Sequence, residues 1–210
     1  MAISTYAELQ TATASWLDRT DLTSQIPNFI DLAEATFNRT IRNHRMITKN
    51  DSYSLGARYV NLPTDTLEII RIVLDTSPVI TLQYLTPEEI AERRMGLSST
   101  GKPIYFTVVG GSTNQIELLR SPDETYTSSI VYYTKIPALS DSATTNWLLT
   151  NHPDIYLFGT LVEAEPYLKN DERMPMWSAR LSKALEELKL QSEREMHTGS
   201  SLRMRSRVLG

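Results

Sequence analysis

Apolar side chains recur at helical spacing at both ends of the chain and at strand spacing in the middle. In ISTYAELQTATASWLDR, Tyr6, Leu9, Thr13 and Trp16 follow steps of three and four. Thr5 and Glu8 have capping-box spacing, so an amphipathic helix is expected to start at Thr5 and to break at Thr20-Asp21. A second helix is expected over Leu22–Arg45, with Pro27 in its first turn and Ile26, Ile30, Ala33, Phe37 and Ile41 on one face. Arg39, Arg42, Asn43 and Arg45 gather at its C-terminal end, where cations suit the helix dipole.

From Ile47 the period changes to two. Leu55-Gly56-Ala57 is expected to turn a hairpin, and TLEIIRIVLD, SPVITLQYL, IYFTVVGG, IELLRSP and Ser128–Tyr133 are expected strands. Thr86-Pro87-Glu88-Glu89 starts a short helix that stops at Gly96. Six or seven strands and one helix thus lie between Ile47 and Ile136, a pattern that suggests an antiparallel sheet or small sandwich.

The chain then becomes helical again. Asn151 is the expected cap of a helix opening at Pro153, whose apolar residues Ile155, Tyr156, Leu157, Phe158, Leu161 and Val162 occupy most of its circumference. Such a helix belongs at the centre of a bundle, and Pro166 is expected to kink or end it. A last helix covers Arg173–Glu195, with Trp177, Leu181, Ala184 and Leu188 on its buried face and Gly199 at its end. The expected fold is therefore α+β: a four-helix base formed by both chain ends, with an inserted antiparallel β-domain carrying a short helix. The expected division is 1–46 and 150–197 for the base and 47–137 for the insertion. Residues 138–149 form a junction loop, and 198–210 a flexible basic tail without repeating periodicity. Trp147, Leu148 and Tyr156 are the expected anchors of the junction.

Composition narrows the function more than it defines it. The chain has 210 residues, 40% hydrophobic and 22% charged, with a net charge of −4. It has no Cys, so disulfides and thiolate metal sites are excluded, which fits a reducing compartment or a particle assembled inside the cell. No apolar run approaches the length of a membrane span, and Met1–Leu17 does not read as a signal peptide, so a soluble body with no membrane partner is expected. The charge is uneven: the tail carries Arg203, Arg205 and Arg207 and no acid, so the preceding body carries about −7.

A search for chemistry returns little. His44, His152 and His197 are far apart, and adjacent pairs such as Glu88-Glu89 and Asp171-Glu172 point to different faces. There is no Gly-x-Ser-x-Gly elbow, and Gly110-Gly111-Ser112 lacks the Lys-Ser/Thr ending of a phosphate loop. Glu163 and Glu165 on the third long helix are expected at a helix edge or a subunit contact. Tyr105, Phe106, Tyr132 and Tyr133 are not interleaved with basic residues, so they read as sheet core and not as a stacking platform. No catalytic, cofactor or metal residue is assigned, and no cofactor is expected.

Several segments, taken together and in order, carry a resemblance. They are Tyr6-Ala-Glu-Leu to Trp16-Leu-Asp-Arg-Thr-Asp-Leu, Ile26-Pro-Asn-Phe-Ile-Asp-Leu-Ala-Glu34, Leu62-Pro63 and Gly101-Lys-Pro-Ile-Tyr105. Tyr132-Tyr133-Thr-Lys-Ile-Pro-Ala-Leu-Ser140, Asn146-Trp-Leu-Leu149 and Pro153-Asp-Ile-Tyr-Leu-Phe-Gly159 complete the set. The chain is similar to the head–tail adaptor proteins of tailed bacteriophages, of the SU10-like type. That resemblance implies a non-enzymatic virion protein made in the host cytoplasm and placed at the head–tail interface. It implies a homo-oligomeric ring, a dodecamer, bound to the portal protein on one side and to a tail or nozzle protein on the other. Tail-fibre contacts are a further implied partner, and genomic DNA would pass through the channel without sequence-specific binding. The tail arginines would dock on acidic portal groups. The alternatives are a tail-associated hydrolase and a soluble DNA-binding accessory protein.

Overall fold

The computed structural model describes residues 3–96, 99–111, 113–169 and 172–197. The chain divides into two compact units, one of residues 1–44 with 136–210 and one of residues 45–135.

The first unit is helical. Helix α1 (Tyr6–Leu17) has the expected capping box: Thr5 Oγ1 accepts from the Glu8 amide, and the Glu8 carboxylate accepts from the Thr5 amide at 2.9 Å. The same carboxylate accepts from the Ser4 hydroxyl and amide at 2.7 and 2.8 Å. These bonds, the Ser4 ones first, pull its pKa down to about 2. α2 (Ile26–Thr40) starts later and ends sooner than its periodicity suggests. Ile41 leaves the helix in an extended conformation, yet Arg42 reaches back and donates to the carbonyls of Asn38 and Ile41. The cationic capping expected of this end is thus made from outside the helix.

The chain from 136 onward differs from a plain loop followed by a helix. A short helix α4 (Trp147–Asn151) forms, capped by Asn146, whose Oδ1 accepts from the Leu149 amide at 2.8 Å (the label α3 belongs to the other unit). Asn151 is therefore the last residue of a helix and not the cap of the next. α5 (Pro153–Leu168) begins on Pro153, whose missing N–H removes one donor that would otherwise need a cap. Pro166 does not end it; the helix continues to Leu168, because a proline this close to the C-terminus costs only one backbone bond. α5 packs against α1, α2, α4 and the last helix, α6 (Met174–His197). The central place follows from its almost uninterrupted apolar surface: Ile155, Tyr156, Leu157, Leu161 and Ala164 are all buried. α2 and α5 meet closely at Gly159, where any Cβ would strike the Phe37 ring.

The second unit is built from two four-stranded sheets. The first has the order β1 (Ile47–Leu55), β8 (Tyr126–Thr134), β3 (Thr66–Leu74), β4 (Ile80–Thr81). The second has the order β2 (Tyr59–Asn61), β7 (Gln115–Leu118), β6 (Tyr105–Val109), β5 (Gln83–Tyr84). Leu55, Ile72, Leu74 and Ile130 from one sheet and Ile116 and Leu118 from the other share one core cluster, all of them essentially inaccessible to solvent. The sequence pattern thus resolves as a sandwich.

Three expectations are corrected here. Leu55-Gly56-Ala57 is not a hairpin: β1 pairs with β8 and β2 with β7, so this turn carries the chain from one sheet to the other. SPVITLQYL is not one strand: it breaks at the buried Leu82, whose amide donates to the Ile72 carbonyl at 2.9 Å, and the two halves join different sheets. The insertion is not wholly antiparallel, since β5 runs parallel to β6. The β6–β7 hairpin forms as its turn residues suggest. α3 (Pro87–Arg94) has the second capping box, Thr86 with Glu89, and buries Ile90 against Leu85 and Leu119.

Candidate functional site

The helical unit contains a buried polar lock that joins the 136–149 stretch to α2 and α5. One Glu34 oxygen accepts from the Leu139 amide at 2.9 Å and from the Tyr156 hydroxyl at 3.0 Å. Asn146 Nδ2 donates to the Tyr156 oxygen at 2.6 Å and to the Pro137 carbonyl at 2.7 Å. Its own Oδ1 caps α4, so a single amide serves three partners. Asn38 Oδ1 accepts from the Ile136 amide at 2.8 Å. Three backbone groups of an irregular segment are thereby satisfied by side chains, which fixes the segment at its buried points Ile136, Leu139 and Asn146. Burial pushes the Glu34 carboxyl above its ordinary range, and burial together with Glu34 raises Tyr156.

Of the expected anchors, Tyr156 takes part in this lock. Leu148 and Tyr156 are fully buried, whereas Trp147 is only half-buried on α4. Tyr156 also stacks edge-on against Phe37, with ring centroids 5.3 Å apart. Glu34 itself was not singled out in sequence reading. The signal was available: it lies between Ile30, Ala33 and Phe37 on the apolar stripe of α2, where a carboxylate is tolerated only with partners. The tail residues Arg203, Arg205 and Arg207 lie outside the described residues.

The carboxylates Glu163 and Glu165 do not form a pair. Glu163 accepts from the Thr36 hydroxyl, and Glu165 is not at an edge but wholly buried, 3.8 Å from the Arg173 guanidinium. A charge at that depth requires such a counterion.

One cluster has the composition of a hydrolytic triad. His44 Nδ1 lies 3.4 Å from Ser192 Oγ, and His44 Nε2 lies 2.9 Å from a Glu195 oxygen. The geometry is that of a clasp. Ser192 is buried on α6, and its hydroxyl oxygen accepts from the His44 amide at 3.0 Å. The cluster fastens α6 to the exit of α2. Among the described residues no group of three His, Asp or Glu side chains could hold a metal ion, and no helix is long and apolar enough to cross a membrane.

What the unit does present is apolar surface. Trp16, Leu32, Tyr167, Met176 and Leu190 are each about half exposed, and Trp16 stands edge-on to Phe158 at the rim of a groove of about 700 Å³ between α1 and α5.

No curated protein matches the chain. A family model, SU10 adaptor protein, matches residues 4–205, nearly the whole sequence and both units. The chain therefore belongs to the SU10 adaptor family, structural proteins of tailed phages.

Proposed function

We propose that this protein is a non-enzymatic head-to-tail adaptor. Its helical unit forms a homo-oligomeric ring, a dodecamer, that docks on the portal protein, continues the DNA channel and gives the tail or nozzle protein its attachment surface. The observation that carries the reading is the family match across both units, 4–205. The helical unit supports it: Glu34, Asn146 and Tyr156 are committed to internal bonds, while Trp16, Leu32 and Tyr167 remain outside on separate helices, as a heterologous ring contact requires. The β unit is the surface for tail or fibre components.

Residues 198–210 are the portal-docking arm, with Arg203, Arg205 and Arg207 pairing acidic portal groups. Ordering such an arm costs entropy, so it holds only where many copies dock together. The body carries about −7, which disfavours DNA adhesion to the channel wall and lets the genome slide. Reversing the three arginines to Glu in the full chain is expected to leave the circular dichroism spectrum unchanged and to stop addition of the protein to DNA-filled heads. Undiminished completion of particles by that variant would remove the arm from the account.

A further inference from the structure

In the β unit four donors converge on one carboxylate oxygen. Glu117 Oε1, on β7, accepts from Arg58 Nε and Nη2 at 3.0 and 2.6 Å and from Arg94 Nη2 at 2.7 Å. The Tyr59 hydroxyl donates to the same atom at 3.3 Å. Arg94 Nη2 also donates to the Leu118 carbonyl at 2.9 Å, which ties the end of α3 to β7. Arg58 stacks over Tyr59, its guanidinium carbon 5.0 Å from the ring centroid. A carboxylate oxygen offers about two lone-pair sites, whereas each guanidinium carries about five N–H donors. The donors therefore outnumber the acceptor they share, and two cations face one anion. These side chains line a pocket of about 360 Å³ whose other walls include Pro87, Ala91 and Met95. The Arg58 side chain is 39% exposed and that of Glu117 13%, so the cation is more open to solvent than the anion that pairs it.

We infer that this pocket is a carboxylate-binding site, and that its occupant is an acidic side chain next to an apolar one on a partner protein. Charge selects the ligand. A single carboxylate neutralises the one positive charge in excess and supplies lone pairs that Glu117 Oε1 lacks, in the paired geometry that guanidiniums favour. A phosphate group, at about −2, overshoots that charge and brings a second negative centre against Glu117. The walls select the neighbour. Tyr59, 46% exposed, and Met95, 85% exposed, give an adjacent apolar side chain a surface to cover. One such contact is weak, because ion pairs near water gain little. A dissociation constant of about 1 mM is expected for a single pocket, and copies held together raise the avidity. The inference rests on the reading of the β unit as the surface for tail or fibre components, and it names the chemistry that surface recognises.

The test is NMR on the full-length protein, following the Nε–H signals of Arg58 and Arg94 during titration with a synthetic acetyl-Leu-Glu-Leu-amide peptide. Saturable shifts of both signals are expected, with a dissociation constant of about 1 mM. The same peptide with Gln in place of Glu, and inorganic phosphate, should each bind about tenfold more weakly. Arg58→Gln should weaken the Glu peptide about tenfold, and Glu117→Gln, which removes the competing anion, should strengthen it about fivefold. A triad that serves only the fold would leave the parent protein blind to both peptides. That result overturns the inference, as does equal affinity for the two peptides or tighter binding of phosphate than of the Glu peptide. The peptide comparison on the parent chain needs no variant, so it stands even where a substitution unfolds the β unit. Partner attachment is read separately, on particles completed with the Arg58→Gln protein, which should carry tail or fibre components about fivefold less often. Undiminished attachment by a variant that no longer binds the peptide overturns the partner assigned to the pocket. Particles that gain tails without the protein overturn the adaptor reading and leave the peptide comparison unchanged, so the two failures are distinguishable.

Discussion

The two units bury different kinds of groups. In the helical unit Glu34, Asn43, Asn146, Glu165 and Ser192 are buried beside the hydroxyls of Thr13 and Thr160, and long-range bonds tie several of them to distant segments. In the β unit the buried polar residues are three hydroxyls, Thr66, Thr107 and Ser128, around an aliphatic and aromatic core. Polar networks of the first kind select one arrangement, because every alternative leaves a buried group without a partner. An apolar sandwich tolerates more substitution without losing its arrangement. Side-chain hydrogen bonds thus specify the helical unit, and apolar packing the β unit.

The contrast can be broken most forcefully at Gly159. Gly159→Val places atoms inside the Phe37 ring and should cost about 3 kcal/mol, read as a lowered Tm of the helical circular dichroism signal. An unchanged Tm would mean that α2 and α5 do not meet as closely as described. Next comes the lock. Glu34→Ala strands the Tyr156 hydroxyl and the Leu139 amide, with an expected loss of about 2–4 kcal/mol in denaturant titrations, whereas Glu34→Gln keeps an acceptor and should lose about half as much. Equal losses in the two variants would show that charge, and not hydrogen bonding, governs the site.

The β unit should respond in the opposite sense. Thr107 Oγ1 is buried without a hydrogen-bond partner among the described residues, so Thr107→Val should raise stability by about 1 kcal/mol. A fall in stability would reveal a partner for that hydroxyl. The smallest effect is one of pH. Glu8 has its folded pKa lowered to about 2 from an ordinary 4.5, so its stabilisation of α1 is present above 4.5 and is lost as pH falls through about 2. Glu34 is raised by burial, so its contribution runs the other way: it is fully present below the ordinary carboxylate range and fades as pH rises through the folded value. Glu8→Gln should flatten the acid limb of helix content below about pH 4, and Glu34→Gln should leave that limb in place.

Local chemistry made part of this legible in the sequence. The Thr5–Glu8 and Thr86–Glu89 capping boxes, the β6–β7 hairpin and the central helix α5 all depend on residues a few positions apart. What the sequence concealed is non-local. Glu34 meets Leu139 across 105 positions and Tyr156 across 122. Gly56 reads as a hairpin turn because nothing nearby indicates that β1 will choose β8, some seventy residues away, over β2. The end of α2 was misplaced because Arg42 continues the polar pattern of the helix while capping it from outside.

The central claim is that this chain works by assembly at the junction of head and tail. Cryo-electron microscopy of particles completed with the full-length protein tests it directly. The expected density is a closed ring of copies between portal and tail, with the helical units in contact around the channel. Particles that acquire tails with no such ring, or with the chain away from the portal vertex, would contradict the account.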